Sequence, residues 1–168
     1  MGKKKAAAST PAVAALNSAG ISHTTHPYEH DPRSDLGYGL EAAQAIGVPP
    51  EQVFKTLMVS VDGTLTVAII PVNCTLDLKA VAHTVHGKKA TMAPVDAAQR
   101  ATGYVVGGIS PLGQKTQHTT LLDASALNHD TVYVSGGRRG FDVGLRPQDL
   151  VAVTHAVTAP IALRTEHG

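Results

Sequence analysis

Lys55 stands in the run Val53-Phe54-Lys55-Thr56-Leu57-Met58-Val59-Ser60-Val61, where a charge is out of keeping with its neighbours. Strand side chains alternate between two faces, so Val53, Lys55, Leu57, Val59 and Val61 share one face. Phe54, Thr56, Met58, Ser60 and Asp62 share the other. Burying an ammonium is costly unless it is paired or loses its proton, which makes Lys55 a candidate for acid–base work or for holding an anion. The bland alternative is a lysine whose stem covers apolar surface while its head reaches water from the start of the strand. Periodicity alone favours that alternative slightly.

Two glycine-rich segments offer a second kind of chemistry. Gly107-Gly108-Ile109-Ser110-Pro111-Leu112-Gly113 combines backbone freedom with a stiffening proline. Such a loop can turn N–H groups toward an oxyanion or a phosphate. It lacks the Gly-Lys-Ser/Thr ending of a nucleotide-binding loop, and a plain turn is the simpler reading of its spacing. Ser135-Gly136-Gly137-Arg138-Arg139-Gly140 adds two guanidiniums suited to phosphate or carboxylate, with Asp142 close behind to orient an arginine, hydroxyl or amine. Two such loops in one short chain favour a ligand cleft.

Other reactive residues lead nowhere. Nine histidines invite a metal, and His23, His26, His30 and Asp31 fall close together. Pro27 breaks the segment, however, and no His-Glu-x-x-His occurs. His83 and His86 have no evident third ligand, so no metal is expected. Cys74 precedes a helix start that can lower a thiol's pKa, yet it has no identifiable base, and a buried free thiol is expected. No Gly-x-Ser-x-Gly elbow is present. The chain offers no obvious nucleophile of its own.

The elements that must position these residues follow from pattern. Thr10-Pro11 opens a short helix closed by Gly20. Ile21 to Tyr28 reads as a strand, residues 31–35 as a loop, and Leu40 to Ile46 as a helix. Val53–Val61 and Leu65–Pro71 flank Asp62-Gly63, a strong hairpin signal. Helices are predicted over Asp77–Val85, Pro94–Ala101 and Pro147–Val153, and strands over Tyr104–Val106, Thr119–Leu122 and Thr131–Val134. The rhythm is not that of a doubly wound sheet. An α/β (α+β) single domain is expected, with a curved mixed β-sheet or barrel surrounded by short helices.

At 168 residues the chain makes one domain. Its 14 Lys and Arg against 13 Asp and Glu argue against gripping nucleic acid by bulk charge. One cysteine excludes an internal disulfide. Lys3-Lys4-Lys5 lacks the apolar core of a signal peptide, and Ala6 stands where myristoylation wants Ser or Thr. Residues 1–9 are expected to be a flexible basic tail, 10–160 the domain and 161–168 a C-terminal tail. A cytoplasmic protein without a membrane span is expected.

Several segments together resemble the YbaK/EbsC prolyl-tRNA editing family: His26-Pro27-Tyr28-Glu29-His30-Asp31-Pro32, Val53-Phe54-Lys55-Thr56-Leu57, Gln99 to Tyr104, Gly107 to Lys115 and Tyr133 to Gly140. The motifs are specific, keep the family's order, and run from about Thr10 to the final helix. The resemblance implies the fold of synthetase-associated editing domains. It also implies trans-editing removal of cysteine from Cys-tRNA(Pro), and from Cys-tRNA(Cys) as a further substrate.

The same resemblance assigns the site. Lys55 matches the family's lysine, and Gly107, Gly108, Ile109, Ser110 and Pro111 match its Gly-x-x-x-Pro substrate loop. Tyr28, Leu36, Thr56, Ser135, Arg138 and Asp142 match the substrate pocket, although Leu36 replaces an aromatic residue. The implied mechanism needs no protein nucleophile and no cofactor. The substrate's own thiol attacks its ester carbonyl, and a thiolactone forms as the tRNA 3′ end leaves. Partners implied are the aminoacyl-tRNA 3′ end and prolyl-tRNA synthetase; the oligomeric state stays open. An Ala-tRNA(Pro) hydrolase, a non-catalytic module for tRNA ends or a synthetase, and a metal-dependent hydrolase stand as alternatives.

Overall fold

A computed structural model of the chain describes residues 10–29 and 37–164. Its centre is a five-stranded mixed sheet in the order β5-β2-β3-β6-β9. The strands are β2 (Phe54–Val61), β3 (Thr64–Pro71), β5 (Ala90–Met92), β6 (Thr119–Asp123) and β9 (Val157–Ala159). A three-stranded antiparallel sheet, β1-β8-β7, is built from β1 (Thr24–Pro27), β7 (Val132–Arg138) and β8 (Phe141–Leu145). A small pair joins β4 (Cys74–Leu76) to β10 (Ala162–Arg164). The α/β (α+β) domain expected from sequence is what forms, with its mixed β-structure shared among three hydrogen-bonded sheets and short helices around them.

The β2–β3 hairpin turns on Asp62 and Gly63, both at positive φ (50° and 87°), as a two-residue turn of primed type requires. Helix α1 (Pro11–Ser18) is capped by Thr10, whose hydroxyl accepts from the N–H of Val13 at 3.2 Å. Helix α2 spans Gly37–Ile46. In helix α3 (Leu78–Thr84) the Asp77 carboxylate accepts from the N–H of Ala80. Helix α4 (Val95–Thr102) ends at Gly103 in the left-handed conformation, and α5 spans Pro147–Thr154. Among the described residues no helix is long and apolar enough to cross a membrane.

Alternation along β2 divides the core. Phe54 and Met58 join a cluster with Val132, Val134, Phe141 and Val143 of the three-stranded sheet and Leu16 of α1. Val59 and Val61 join the opposite cluster with Ile70, Val81 and Ile161. Burying these branched side chains stabilises each by about 1.5–3 kcal/mol, which fixes the register of β2 and hence the side on which Lys55 emerges.

Four sequence expectations change. The strand expected over Ile21–Tyr28 is confined to Thr24–Pro27. Tyr104–Val106 is not a strand, because the Val106 N–H is taken by the Gln99 side chain (2.9 Å) and Gly108 turns back to Val105. Ser135-Gly136-Gly137-Arg138 is not a free loop but the bulged end of β7, with Gly137 at φ 108° where the register to β8 shifts. The chain also stays in the fold past residue 160: Ile161 is fully buried, and Ala162–Arg164 pair with Cys74–Leu76. Only 165–168 of the expected C-terminal tail, and the basic tail 1–9, lie outside the described residues.

Candidate active site

The site begins as a gap in a sheet. One edge of β2 is paired along its length with β3. On the other edge β5 covers only Val59–Val61, and β7 touches once, at the bridge Val53–Tyr133. Between those two contacts the edge of β2 is open. The carbonyl of Met58 faces that edge, because it accepts from the N–H of Ala93 (3.0 Å). The N–H and C=O of one strand residue point to the same edge, and alternate residues repeat it. Thr56 therefore turns its backbone groups toward the gap.

A cavity of about 360 Å³ fills this gap. Tyr28, Lys55, Thr56, Gly107, Ile109, Ser135 and Asp142 all line it, each expected from sequence and drawn from five separate parts of the chain. The Val53–Tyr133 bridge explains part of the convergence. Two residues further along the parallel pair, Lys55 comes level with Ser135, which is itself paired with Asp142 across β7 and β8. His26 on β1 continues the row opposite Asp142. Its ring meets Tyr133 edge-on at 5.2 Å, and its Nε2 lies 2.7 Å from the Thr24 hydroxyl.

The lysine and the carboxyl that line the cavity make no ion pair among the described residues. Lys55 is half-buried. Burial lowers its pKa from the usual lysine value, opposed by nearby Cys74. Asp142 is 6% exposed, and burial pushes its carboxyl up to about 7. The Thr56 hydroxyl is buried with no hydrogen-bond partner. An unmet hydroxyl of this kind costs about 1–3 kcal/mol, which a ligand that bonds it recovers.

The glycine loop divides between the cavity and the core. Gly107 and Ile109 line the cavity, whereas Ser110 and Pro111 are buried behind it. The Tyr104 hydroxyl donates to the Leu112 carbonyl (2.6 Å), and the Gln114 amide donates to that of Ser110 (2.9 Å). Gly108 has no room for a side chain: a Cβ there would lie 2.7 Å from the Arg138 carbonyl carbon and the Arg139 nitrogen. The bulge of β7 thus abuts the loop, and Arg139 Nε donates to the Val106 carbonyl at 2.8 Å. With the N–H groups of Val106 and Gly108 engaged, that of Gly107 makes no hydrogen bond among the described residues.

Arg138 is not at the cavity wall; its guanidinium sits 4.5 Å from the centre of the Phe141 ring. Leu36 lies outside the described residues. Cys74 is buried, and its thiol is pushed up by that burial and by Asp123, the opposite of an activated nucleophile. Among the described residues no three His, Cys, Asp or Glu side chains gather as a metal site.

Sequence reasoning missed the apolar wall, formed by Val53, Val72, Met92, Ala93, Val95 and Val106. Met92 and Ala93 follow a three-residue strand too short for a periodic signal. Val106 alone had a hint, as the residue that leads into Gly107. The resulting site pairs a confined apolar chamber with one cation, one carboxyl and a free backbone donor. It is equipped to bind a small polar group and stabilise a developing negative charge.

Comparison with known proteins places the chain in a family. Residues 39–153 match the family described as "Aminoacyl-tRNA editing domain". The chain is 35% identical over 123 residues to the "Putative Cys-tRNA(Pro)/Cys-tRNA(Cys) deacylase EbsC" of Enterococcus faecalis, covering 73% of this chain and 75% of that protein. A solved structure described as "a putative trans-editing enzyme for prolyl tRNA synthetase" superposes with a TM-score of 0.79 at 25% identity, covering 92% of this chain and 98% of that one. A scaffold protein used in computational epitope grafting shares the fold (TM-score 0.80, 23% identity, 92% and 96% covered). With the family match spanning the β2 edge, the glycine loop and the β7–β8 hairpin, the chain belongs to the YbaK/EbsC family of aminoacyl-tRNA editing domains.

Proposed function

We propose that this chain is a trans-editing deacylase that removes cysteine from mischarged proline tRNA, using the substrate's own thiol. The observation that carries the reading is a cavity holding Lys55, Asp142, Thr56 and the free Gly107 N–H, with no cysteine or histidine among the described residues that line it. In this mechanism the cysteinyl sulfur attacks the ester carbonyl carbon. The carbon–oxygen ester bond breaks, and the ribose oxygen of the tRNA 3′ end leaves with the proton the thiol gives up. The cysteine departs as a cyclic thiolactone, which water opens afterwards.

The protein's work is orientation and charge stabilisation. Asp142 holds the substrate ammonium, the Gly107 N–H receives the developing oxyanion, and Thr56 and Ser135 position the ester. Lys55 binds the terminal ribose–phosphate region or moves the proton to the leaving oxygen. An apolar pocket separates amino acids that differ by one small group only weakly, roughly 10–200-fold. The thiol therefore supplies selectivity that shape does not. Prolyl-tRNA synthetase, the source of the error, is the partner that delivers the substrate, and both work where translation does, in the cytoplasm.

The test is deacylation of Cys-, Ser- and Ala-charged proline tRNA side by side, with and without prolyl-tRNA synthetase. Cys-tRNA(Pro) is expected to be cleaved at least ten-fold faster than the Ser form (about 1.4 kcal/mol in the barrier). Equal rates for Cys and Ser overturn the thiol mechanism. Faster cleavage of the Ala form points to an Ala-tRNA(Pro) hydrolase, and binding without turnover points to a non-catalytic module.

A further inference from the structure

We propose that the basic hollow formed by Lys79, Lys88 and Lys89 is the docking surface for the RNA backbone adjoining the aminoacylated end. The proposal rests on the deacylase reading, and gives it the surface that holds the rest of the substrate. The hollow has a volume of about 530 Å³ and lies between α3 and the start of β5, lined by Lys79, His83, Lys88 and Lys89 with Leu78 and Ala82 as its floor. All three lysines are exposed, and none makes an ion pair among the described residues. His83 also lines the hollow.

The two acidic residues nearby are already engaged. Asp62 accepts from the backbone N–H groups of Lys88 (2.8 Å) and Lys89 (2.9 Å), and Asp77 caps α3 through Ala80. Asp62 thereby fixes the backbone from which both ammoniums project, and its carboxylate, which also attracts Lys88, offsets only one of the three lysine charges. The surface remains cationic, and concave where it is cationic.

Its position relative to the cavity identifies the occupant. β5 runs from this hollow to the cavity: Asp62 binds the Lys89 end, and Met92 lines the cavity wall. Met92 is three residues on from Lys89, about 10 Å at ~3.3 Å per residue. An RNA whose last nucleotide enters the cavity lays its preceding phosphates over the surrounding surface, and the hollow lies within their reach. A phosphate chain matches unpaired ammoniums; an acidic protein surface lacks the link to the cavity. Near-zero net charge is compatible with this, because a local cluster can grip a few phosphates without an overall basic excess.

The experiment compares wild type with Lys79→Ala/Lys88→Ala/Lys89→Ala, which keeps the backbone amides that Asp62 binds. The control is Lys115→Ala/Arg146→Ala, which removes exposed cations elsewhere. Binding of fluorescently labelled, uncharged proline tRNA is followed by anisotropy from about 50 to 200 mM salt, beside deacylation kinetics. The triple variant is expected to bind roughly 5–10-fold more weakly at low salt. Its slope of log affinity against log salt should fall by about 2, as for up to three lost single-strand phosphate contacts. Its kcat at saturating tRNA should stay within two-fold, and the control should match wild type.

An unchanged affinity and slope in a folded triple variant overturns the proposal, as does an equal loss in the control. Failure of the parent reading looks different: wild type would bind tRNA with the lysine-dependent slope yet release no amino acid.

Discussion

Arg139 and Val106 are 33 residues apart in sequence, and the guanidinium Nε of one donates to the carbonyl of the other at 2.8 Å. All peptides described here are trans, so the N–H of Gly107 points away from the oxygen that Arg139 holds. Arg139 therefore fixes the orientation of the Gly107 N–H. Arg139→Ala is expected to lower the kcat for Cys-tRNA(Pro) deacylation about 3–10-fold with little change in KM, an effect of about 0.7–1.4 kcal/mol. Arg139→Lys should recover only part of it, because a lysine does not reproduce the planar donor. A fall confined to KM would assign Arg139 to tRNA binding instead.

Among the described residues, Lys55 is the only cation lining the cavity. Lys55→Ala should abolish measurable deacylation, and Lys55→Arg should restore binding of uncharged tRNA more than it restores kcat. Lys55 is half-buried rather than a core residue, so circular dichroism and the melting temperature of both variants should stay near wild type. A folded, fully active Lys55→Ala enzyme would remove the lysine from the mechanism.

Asp142 carries a pH prediction. Its carboxyl titrates at about 7 when folded and near ~4 in an unfolded chain. Between those values the folded protein holds a proton that the unfolded chain has released, so this group's contribution makes stability fall as pH rises, levelling off above about 7. Asp142→Asn should therefore gain stability over wild type at pH 8, with the difference shrinking toward pH 4–5 in urea titrations. Activity should run the other way. If the ionised carboxylate holds the substrate ammonium, kcat/KM of wild type rises through a midpoint near 7, and the Asn variant loses that limb. A variant with the same pH profile as wild type excludes the assignment.

Thr56 should show a trade between stability and function. Its hydroxyl is buried and unpartnered, so Thr56→Val removes a group that costs the folded state about 1 kcal/mol. Thermal unfolding is expected to occur at the same or a higher temperature. Deacylation should meanwhile slow roughly 3–10-fold for want of one hydrogen bond to substrate. A less stable Val variant would mean that the hydroxyl is a structural group.

Much of the site was legible because it is written in short motifs on strongly patterned elements. The alternation around Lys55 and the Asp62-Gly63 turn set the face and register of β2, and the hairpin formed as read. The bulge at Ser135–Arg138 was harder. Glycines suggest a loop, yet β8 supplies a pairing partner from residues 141–145, a strand short enough to escape notice. Tyr104–Val106 failed for the opposite reason: its β-branched residues suit a strand, but the Gln99 side chain takes the Val106 N–H that a ladder would need. Arg138 and Arg139 look equivalent in sequence. Only packing gives one to the Phe141 ring and the other to the Val106 carbonyl.

The single bridge between Val53 and Tyr133 has a consequence for how such a site ages. β2 and β7 meet at one point and then diverge, so the chamber is a stretch of sheet left unzipped. Its width is set by where two backbones part, and its rim includes the peptide groups of Thr56. Substitution changes the upholstery of such a chamber but not its frame. Recognition written into main-chain register can outlast the turnover of the side chains around it.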